Sequence, residues 1–342
     1  MPVSFDSEPA GCLKIGLVNN MSDEALKATE CQFISLLDSA SGNMPVHLSF
    51  YTLPGVPRNG LTASHISSRY SNIEDLLNGH LDGLIVTGRE PLAANLEDEP
   101  YWDSFTRVLA WAQENCHATV LSCLAAHAAI LSMDGIRRVK GNDKVFGIFE
   151  CARVSDHPLT AGTASQFRLP HSRWNGVPEE QLVDCGYKVL TRSANAGVDT
   201  FIRQQKRLLV FFQGHPEYES DTLLREYRRD VGRYIKGEAP RYPLMPRSYF
   251  DETTVEELAA FEKKAVSQRS AELLPELNAI LGNKRIANTW QSSAAGIYRN
   301  WLGHIRAQKK TVLVSKRLRV MAGSEQTPGV PYLPTVLLED VS

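Results

Sequence analysis

The pattern of apolar and polar positions in the first half of the chain predicts alternating strands and helices. Apolar residues recur at helical spacing after Ser22, which has the side chain of an N-cap, and again over residues 102–112. An alanine-rich helix is predicted from Leu124 onward. Short apolar segments between these helices have the length of strands, and they are Leu13–Val18, residues 46–53, residues 83–87 and Ala118–Ser122. This alternation is a βαβ series.

The middle of the chain is less regular but ends in a clear strand and helix. Residues 144–200 contain short, irregular strand-like segments, and residues 207–213 form one strongly apolar strand. Residues 219–234 then carry apolar side chains at helical spacing. We therefore predict an α/β fold with a doubly wound, mostly parallel, flavodoxin-like sheet. In such folds ligands bind beyond the carboxyl ends of the strands.

The C-terminal part has a different pattern from the rest of the chain. Prolines within residues 240–246 predict an extended linker, and amphipathic helices are predicted over residues 253–281 and 288–308. The alternation over residues 311–321 predicts an edge strand followed by a loose tail. The expected division is a catalytic domain, a linker with helices that pack on it, and a tail: 1–236, 237–310 and 311–342.

Composition and charge narrow the class of partner. The chain has 342 residues, of which 43% are hydrophobic and 22% charged, and this length is sufficient to bury a full core. The formal net charge is -2, and basic residues form only short runs such as Lys309-Lys310. This charge pattern predicts no nucleic-acid partner and favours a small-molecule substrate.

Cysteine spacing and hydropathy predict the compartment. The six cysteines show neither metal-ligand spacing nor a disulfide framework, so we expect no metal and a reducing, cytoplasmic environment. No apolar stretch approaches the roughly 18 residues that a membrane helix needs. Residues 1–12 lack the basic and apolar regions of a signal peptide. We expect no membrane partner and no export.

Cys123, His215 and Glu217 have the residue types of a nucleophilic triad. Cys123 lies between a predicted strand and a predicted helix, whose N-terminal amides and dipole favour a thiolate. His215 follows the strand over residues 207–213 and is suited to accept the thiol proton. Glu217 lies two residues further, on the same side of an extended segment, where it would orient the imidazole. The three residues predict acyl-transfer chemistry.

Several motifs, in order, resemble those of one known family. They are Asp-Gly-Leu-Ile-Val-Thr-Gly at 82–88, Tyr101-Trp102, the Cys123 elbow, Pro-His-Ser-Arg at 170–173, Gly-His-Pro-Glu-Tyr at 214–218 and Glu-Tyr-Arg-Arg-Asp at 226–230. The chain resembles the homoserine O-succinyltransferase and O-acetyltransferase family, which has a class I glutamine-amidotransferase-like fold. The resemblance extends over residues 13–304 and includes Trp290 and the Asn-Trp-Leu at 300–302.

The resemblance implies a ping-pong acyl transfer in methionine biosynthesis. Cys123 would attack the thioester of an acyl-coenzyme A co-substrate, with no bound cofactor. His215 would act as general base and then acid, and Glu217 would hold His215. Homoserine would then take the acyl group on its hydroxyl. The resemblance and the amphipathic C-terminal helices favour a homodimer.

Further site residues are expected around this triad. Backbone N–H groups of Leu124, Gly88 and Arg89 would hold the oxyanion, because the helix start and the preceding strand-end loop converge there.

In the family, the residues at four further positions help bind the amino-acid substrate: His171, Ser172, Arg173 and Arg229. A guanidinium fork suits an α-carboxylate, which supports this expectation for the two arginines.

Two segments depart from the family pattern. The loop before Thr29 is two residues longer than in the family, which makes Lys27 the candidate for the family's active-site lysine. The loop after Gly88 has one extra residue near the family position that sorts acyl donors, where a small residue accompanies succinyl and a glutamate accompanies acetyl. Ala93 is small and favours succinyl-coenzyme A. Because of the extra residue, Glu90 could instead occupy the family position, which leaves acetyl-coenzyme A as the alternative.

Two alternative functions stay open. L-Serine as acceptor is one, because a single methylene contributes only about 1–3 kcal/mol of discrimination. A glutaminase of the same fold is the other, since residues 212–217 fit it. Its usual Gly-x-Cys-x-Gly-x-Gln elbow is missing here, where Leu121, Ala125 and His127 flank the cysteine.

Overall fold

Strands and helices alternate along the chain as the sequence pattern predicts. The computed structural model describes residues 3–4, 11–282 and 284–323. The strands are β1 (Val3–Ser4), β2 (Leu13–Val18), β3 (Val46–Tyr51), β4 (Tyr70–Ser71), β5 (Gly83–Val86), β6 (Ala118–Ser122), β7 (Val139–Arg153), β8 (Gln166–Gly176), β9 (Lys188–Val189), β10 (Thr191–Ser193), β11 (Gly197–Val198), β12 (Thr200–Gln204) and β13 (Leu208–Phe212). The helices are α1 (Asp23–Ser41), α2 (Gly60–Arg69), α3 (Ile73–Asn78), α4 (Trp102–Asn115), α5 (Leu124–Asp134), α6 (Glu179–Asp184), α7 (Thr222–Ile235), α8 (Glu252–Ser267), α9 (Leu274–Gly282) and α10 (Gln291–Gly323).

The main sheet has nine strands among the described residues. Its order is β1-β3-β2-β5-β6-β13-β12-β9, with β4 paired to β3. The central strands β3, β2, β5, β6 and β13 are parallel, and β12 and β9 complete one edge in antiparallel orientation. Parallel neighbours cannot be joined by a tight turn, so the chain crosses between them through helices, as α1 does between β2 and β3 and α4 between β5 and β6. The predicted doubly wound, mostly parallel α/β sheet is confirmed.

Alternate residues of the central strands enter two hydrophobic cores, one on each face of the sheet. On β5, Ile85 belongs to the core that contains Phe33 of α1 and Trp301 of α10. Its neighbour Leu84 belongs to the core that contains Phe105 of α4. Successive side chains of a strand point to opposite faces, so a continuously apolar strand needs a helical layer on both sides.

A second, four-stranded sheet brings residues 171–173 to the main sheet. Its order is β11-β10-β7-β8, and it accounts for the irregular pattern of residues 144–200. Gly147 on β7, with a φ of +134°, lies so close to the linker that an added Cβ would be 2.3 Å from the backbone N of Arg247. The backbone N–H of His215 donates to the carbonyl of Pro170 on β8 at 2.8 Å. The second sheet is therefore joined to the end of β13.

Two C-terminal expectations are wrong in detail. Residues 311–321 continue α10 instead of forming an edge strand, because extending an existing helix costs less than starting a new element, and Lys, Arg and Leu are good helix formers. The helix expected over 253–281 is broken after Ser267, where Gln268 leaves helical geometry and the Ser270 side chain caps the next turn.

Residues 324–342 lie outside the described residues, and the division of the chain at residues 236 and 310 stays a prediction. In the described ranges, no helix is long and apolar enough to cross a membrane.

Candidate active site

Cys123 lies on a sharp turn between β6 and α5. Its φ of +50° and ψ of -108° place a non-glycine residue in a backbone region that L-amino acids avoid. The Cys123 N–H donates to the carbonyl of Phe212 on β13 at 2.7 Å, which holds the turn in place. Such a strained strand-to-helix turn is the geometry that exposes a nucleophile above a sheet. Cys123 is half-buried.

His215 reaches Cys123 because their strands are parallel neighbours. Phe212, the last residue of β13, lies opposite Ser122, the last residue of β6. Cys123 and His215 follow these two strand ends, and their side chains interact electrostatically. The Nδ1 atom of His215 lies 2.9 Å from Oε1 of Glu217, and the Ser122 hydroxyl donates to the same carboxylate oxygen at 3.4 Å. The structure thus brings the three residues of the predicted triad together.

The charges around His215 favour a protonated imidazole. Burial by itself lowers the pKa of His215, but the neighbouring Cys123 and Glu217, together with the hydrogen bond to Glu217, raise it well above its ordinary value. A carboxylate only accepts hydrogen bonds, so His215 carries a proton on Nδ1 and turns Nε2 toward the thiol. This is the arrangement that a thiolate–imidazolium pair requires.

The loop after β5 contacts the start of α5 at the position expected for an oxyanion site. A Cβ on Gly88 would come within 2.4 Å of the Leu124 Cβ and 2.7 Å of the Ala125 backbone N, so glycine permits this approach. The N–H of Leu124 belongs to the first turn of α5, where no intrahelical acceptor is available. The Arg89 side chain folds back on its own loop and donates to the carbonyl of Glu90 at 3.2 Å.

His171 and Arg173 lie in a buried network beneath the strand end that carries His215. Nε of Arg173 donates to Nδ1 of His171 at 3.4 Å, and Nε2 of His171 lies 3.3 Å from Oδ1 of Asp199. The same Asp199 oxygen accepts the N–H of Gly214 at 3.1 Å. Arg173 can only donate, so the proton of neutral His171 lies on Nε2, which has no hydrogen-bond partner among the described residues. This network supports the backbone beside His215.

The burial of this network bears on the expected substrate contacts. His171 is 0% exposed and Arg173 7% exposed. The Arg173 guanidinium also donates to the carbonyls of Asn175 and Ala196. Burial lowers the pKa of His171 well below its ordinary value, with Arg173 adding to the effect, so the imidazole is neutral. Direct contact of these two residues with substrate stays a prediction, and their geometry favours a supporting role.

Three buried residues of this region have donor atoms close enough for a metal. The ligand atoms of Cys151, His171 and Asp199 all lie within 4.8 Å of one another. However, Asp199 already accepts hydrogen bonds from Thr191 and Thr200 and from the Gly214 amide, and the Arg173 guanidinium lies next to His171. An adjacent cation and occupied lone pairs disfavour a metal ion. Burial raises the pKa of the Cys151 thiol, which opposes the thiolate that a metal needs.

Ser172 faces a second, charged cluster. Its hydroxyl donates to Oε2 of Glu226 at 2.5 Å, and the Tyr218 hydroxyl donates to Oε1 at 2.6 Å. The Tyr218 ring stacks on the His215 ring with centroids 4.2 Å apart. Lys144 completes the cluster, with Nζ 3.8 Å from Glu226 and 3.4 Å from Asp230. The name charged cluster is used below for Lys144, Ser172, Tyr218, Glu226, Arg229 and Asp230.

Arg229 is the accessible cation of the charged cluster. Its guanidinium pairs with Asp230 at 2.8 Å, and its side chain is 44% exposed. Burial of the remainder lowers the pKa of Arg229, but Asp230 and Glu226, with Glu90 beyond them, raise it above its usual value. Sequence reasoning missed Lys144, Tyr218 and Glu226. The signal for Glu226 was its spacing of three and four residues from Arg229 and Asp230 on α7, which puts all three on one helix face.

The remaining predicted site residues, Ala93, Glu90 and Lys27, lie in different surroundings from one another. The backbone N–H groups of Leu92 and Ala93 donate to Oε1 of Glu99 at 2.6 and 2.8 Å, so this part of the loop is anchored. Glu90 is exposed, and its charge acts on Arg229. Lys27 is exposed on α1 and forms no hydrogen bond or ion pair with any other described residue. Roles for Ala93 and Lys27 stay predictions.

The fold and the site together define a class of protein. A Cys-His-Glu row at adjacent strand ends of a doubly wound sheet, with the cysteine on a strained elbow, is typical of α/β enzymes with a cysteine nucleophile. Residues 6–312 match the homoserine O-succinyltransferase family. The chain belongs to that family.

Individual relatives agree with this assignment. The chain is 45% identical to a homoserine O-succinyltransferase of Rhodopseudomonas palustris, over 86% of this chain and 89% of the relative. It is 43% identical to one of Bradyrhizobium japonicum, over 86% and 90%. Among solved structures, a glutamine amidotransferase from Thermotoga maritima is similar at a TM-score of 0.46 and 12% identity, over 86% of this chain and 98% of that chain.

Proposed function

We propose that this protein is an acyltransferase that moves a succinyl group from succinyl-coenzyme A to the hydroxyl of L-homoserine in methionine biosynthesis. The observation that carries the proposal is the row of Cys123, His215 and Glu217 at adjacent strand ends, with His215 Nδ1 2.9 Å from the Glu217 carboxylate, in a member of this family. The name that the relatives share supports succinyl over acetyl as the transferred group and homoserine over serine as acceptor.

The first half-reaction loads the cysteine. Cys123 Sγ forms a bond to the thioester carbonyl carbon, and the carbonyl electron pair moves onto oxygen. The N–H groups of Leu124 and of the Gly88 loop stabilise that oxyanion. When the oxyanion collapses, the carbon–sulfur bond to coenzyme A breaks, and the leaving thiolate takes the proton of His215. The products are succinyl-Cys123 and free coenzyme A.

The second half-reaction passes the acyl group on. Neutral His215 takes the proton of the homoserine hydroxyl while the oxygen attacks the acyl carbon. Glu217 stabilises the imidazolium that forms. Collapse of the second oxyanion breaks the bond to Cys123, which leaves as a thiolate paired with the imidazolium, and the starting state is restored.

The charged cluster supports an amino-acid acceptor. Arg229 and Lys144 offer cationic groups for an α-carboxylate, and Glu226 offers a carboxylate for an α-ammonium group. Arg229 is the residue we assign to the carboxylate, because 44% of its side chain is exposed. Tyr218 links the rest of the cluster to His215, because its ring stacks on the His215 ring and its hydroxyl donates to Glu226.

Intact-mass spectrometry tests the acyl-cysteine. After mixing with succinyl-coenzyme A, the wild-type protein should gain about 100 Da, the mass of one succinyl group, and Cys123→Ala should gain nothing. Cys31→Ala removes an exposed thiol elsewhere and is the matched control, which should load as the wild type does. Loading of the Cys123→Ala protein would overturn the assignment of the nucleophile.

A steady-state assay tests the substrates. It crosses succinyl- and acetyl-coenzyme A with homoserine and serine, and a glutamine-hydrolysis assay runs beside it. The highest kcat/KM should belong to succinyl-coenzyme A with homoserine. A preference for another pair, or hydrolysis of glutamine, would replace the proposed function by the corresponding alternative.

We also propose a cytoplasmic homodimer, as the family resemblance implies. Sedimentation velocity at micromolar concentration should give the mass of two chains, and a monomer would contradict the proposal.

A further inference from the structure

An open apolar groove lies between the start of β7 and the end of β8, outside the steps described above. Its cavity volume is about 420 Å³. The apolar part of its wall consists of Val139, Val145, Trp174, Val177 and Pro178. Val139 is 58% exposed and Trp174 is 49% exposed, so the groove presents large apolar side chains to solvent. These exposed apolar side chains line one groove and are not scattered singly over the surface.

Unpaired cationic groups lie beside the apolar wall. Lys140 lines the groove, and Arg138 precedes it by two residues. Neither side chain donates a hydrogen bond to any other residue in the described ranges. Their neighbour Arg137, by contrast, pairs with Glu97 at 3.3 Å. Two cations that form no hydrogen bond or salt bridge with other described residues, next to apolar surface, complement a ligand that has both phosphate groups and apolar parts.

The groove is connected to the nucleophile through Arg173 and Arg138. Arg173 lines the groove on one side and interacts electrostatically with Cys123 on the other. Burial lowers the pKa of both guanidinium groups, and the nearby Cys123 acts on both in the opposite direction. The groove also lies on β8, whose Pro170 accepts the N–H of His215 and whose Arg173 contacts His171, so a ligand in the groove would extend along this strand toward the triad.

We propose that this groove binds the coenzyme portion of the acyl donor, with its adenine against Trp174, its pantetheine arm on the valine wall and its phosphates near Arg138 and Lys140. This inference rests on the proposed function, because it places the leaving group of the first half-reaction. The charged cluster, which contains Glu226 and Asp230, would repel the phosphates of a nucleotide and suits the amino acid instead. Donor and acceptor would thus approach Cys123 from different sides.

Kinetics with a full and a truncated donor test the groove. S-Succinyl-N-acetylcysteamine has the same thioester but lacks the nucleotide and most of the pantetheine arm. For Trp174→Ala, the ratio of kcat/KM for succinyl-coenzyme A to that for the truncated thioester should fall roughly tenfold, as the loss of one aromatic stacking partner predicts. Trp174→Phe keeps an aromatic face and should keep most of the ratio. Val266→Ser changes a matched residue, 56% exposed on α8, and should not change it.

Lys140→Ala gives an independent readout of the charge. Its KM for succinyl-coenzyme A should rise several-fold at low salt and approach the wild-type value at high salt, because screening removes the contribution of an exposed cation. The KM for the truncated thioester, which has no phosphates, should show no such dependence on salt.

The possible outcomes separate this inference from the proposed function. If the wild type loads succinyl but the ratio is unchanged in Trp174→Ala, the groove proposal is overturned and the proposed function stands. If Trp174→Ala converts a dimer into a monomer while keeping the ratio, the groove is an interface between copies of this chain, which also overturns it. If the wild type does not load succinyl, both proposals fail together.

Discussion

His171 and Ser172 are adjacent on β8 but serve two regions with opposite character. Side chains alternate along a strand, so His171 joins the dry network with Asp199 while Ser172 joins the charged cluster around Glu226. The side chains of His171 and Asp199 are 0% exposed, whereas Arg229 of the charged cluster is 44% exposed. One side of residues 171–173 therefore supports the backbone of His215, and the other side contacts the charged cluster, in which Arg229 is accessible to solvent.

The largest difference between the two regions should appear in stability. Asp199→Ala leaves Arg173 buried without its compensating charge and removes the acceptor of the Gly214 N–H, so it should lower the free energy of unfolding by about 3–5 kcal/mol. Urea denaturation measures this loss. Asp230→Ala, whose side chain is 20% exposed in the charged cluster, is the control and should lower the free energy of unfolding by less. Equal losses in the two variants would contradict the distinction.

The next largest effect should appear in substrate binding. Arg229→Ala removes the accessible guanidinium, and the KM for homoserine should rise roughly tenfold to a hundredfold, as expected for a lost hydrogen bond to a charged group of about 1.5–3 kcal/mol. The KM for succinyl-coenzyme A and the melting temperature should change little. Arg233→Ala, one turn further along α7 and 46% exposed, is the matched control. A similar rise in that variant would show a general effect of charge.

The pH dependence of His215 sharpens the role of Glu217. Glu217→Gln removes a negative charge that raises the pKa of His215, so the imidazolium should lose its proton at a lower pH than in the wild type. Because the pKa of His215 is higher in the folded than in the unfolded state, its protonation stabilises the fold at pH values below the ordinary histidine pKa. This stabilisation is lost as pH rises through the pKa of the folded state, and the variant should lose it at a lower pH. An NMR titration of the ring protons measures the shift. Glu219→Gln, 45% exposed, should leave the titration unchanged, and an unchanged pKa in Glu217→Gln would sink the assignment.

The smallest effect should come from the residue that connects the triad to the charged cluster. Tyr218→Phe keeps the ring that stacks on His215 but removes the hydroxyl that donates to Glu226, so kcat/KM for homoserine should fall by roughly twofold to tenfold. Tyr227→Phe, which loses a hydroxyl contact with Tyr242 on the other side of α7, is the control. A larger loss in the control would point to packing of α7 as the cause.

Most of the fold could be predicted from local pattern. β2 and β6 have the predicted bounds, because short, mostly apolar segments of five or six residues are typical of buried parallel strands. The short helices α2 and α3 were missed, since α2 has no buried residue and therefore no apolar stripe. The extension of α10 over residues 311–321 was missed because alternating and helical spacing overlap in short windows.

The site was predictable where chemistry and position are both local. Cys123 directly follows β6, and the His-x-Glu at 215–217 lies just beyond β13, so residue type and strand end pointed to the same place. Lys144 and Asp199 could not be found in this way. Their partners are 86 and 15 residues away in sequence, at Asp230 and Gly214. Lys144 reaches Asp230 only where β7 lies next to α7, and Asp199 reaches Gly214 only because β12 pairs with β13.

The sequence by itself determined the strand-and-helix alternation, the elbow cysteine with its base and orienter, and the family, because each rests on short segments whose residues act locally. The tertiary structure alone decided how the tripeptide at 171–173 is divided. The strand period sends Ser172 to a charged, accessible cluster and His171 and Arg173 to a buried network. The elements that pack against β8 determine which of its faces is accessible to solvent, and this packing is set by contacts between residues far apart along the chain.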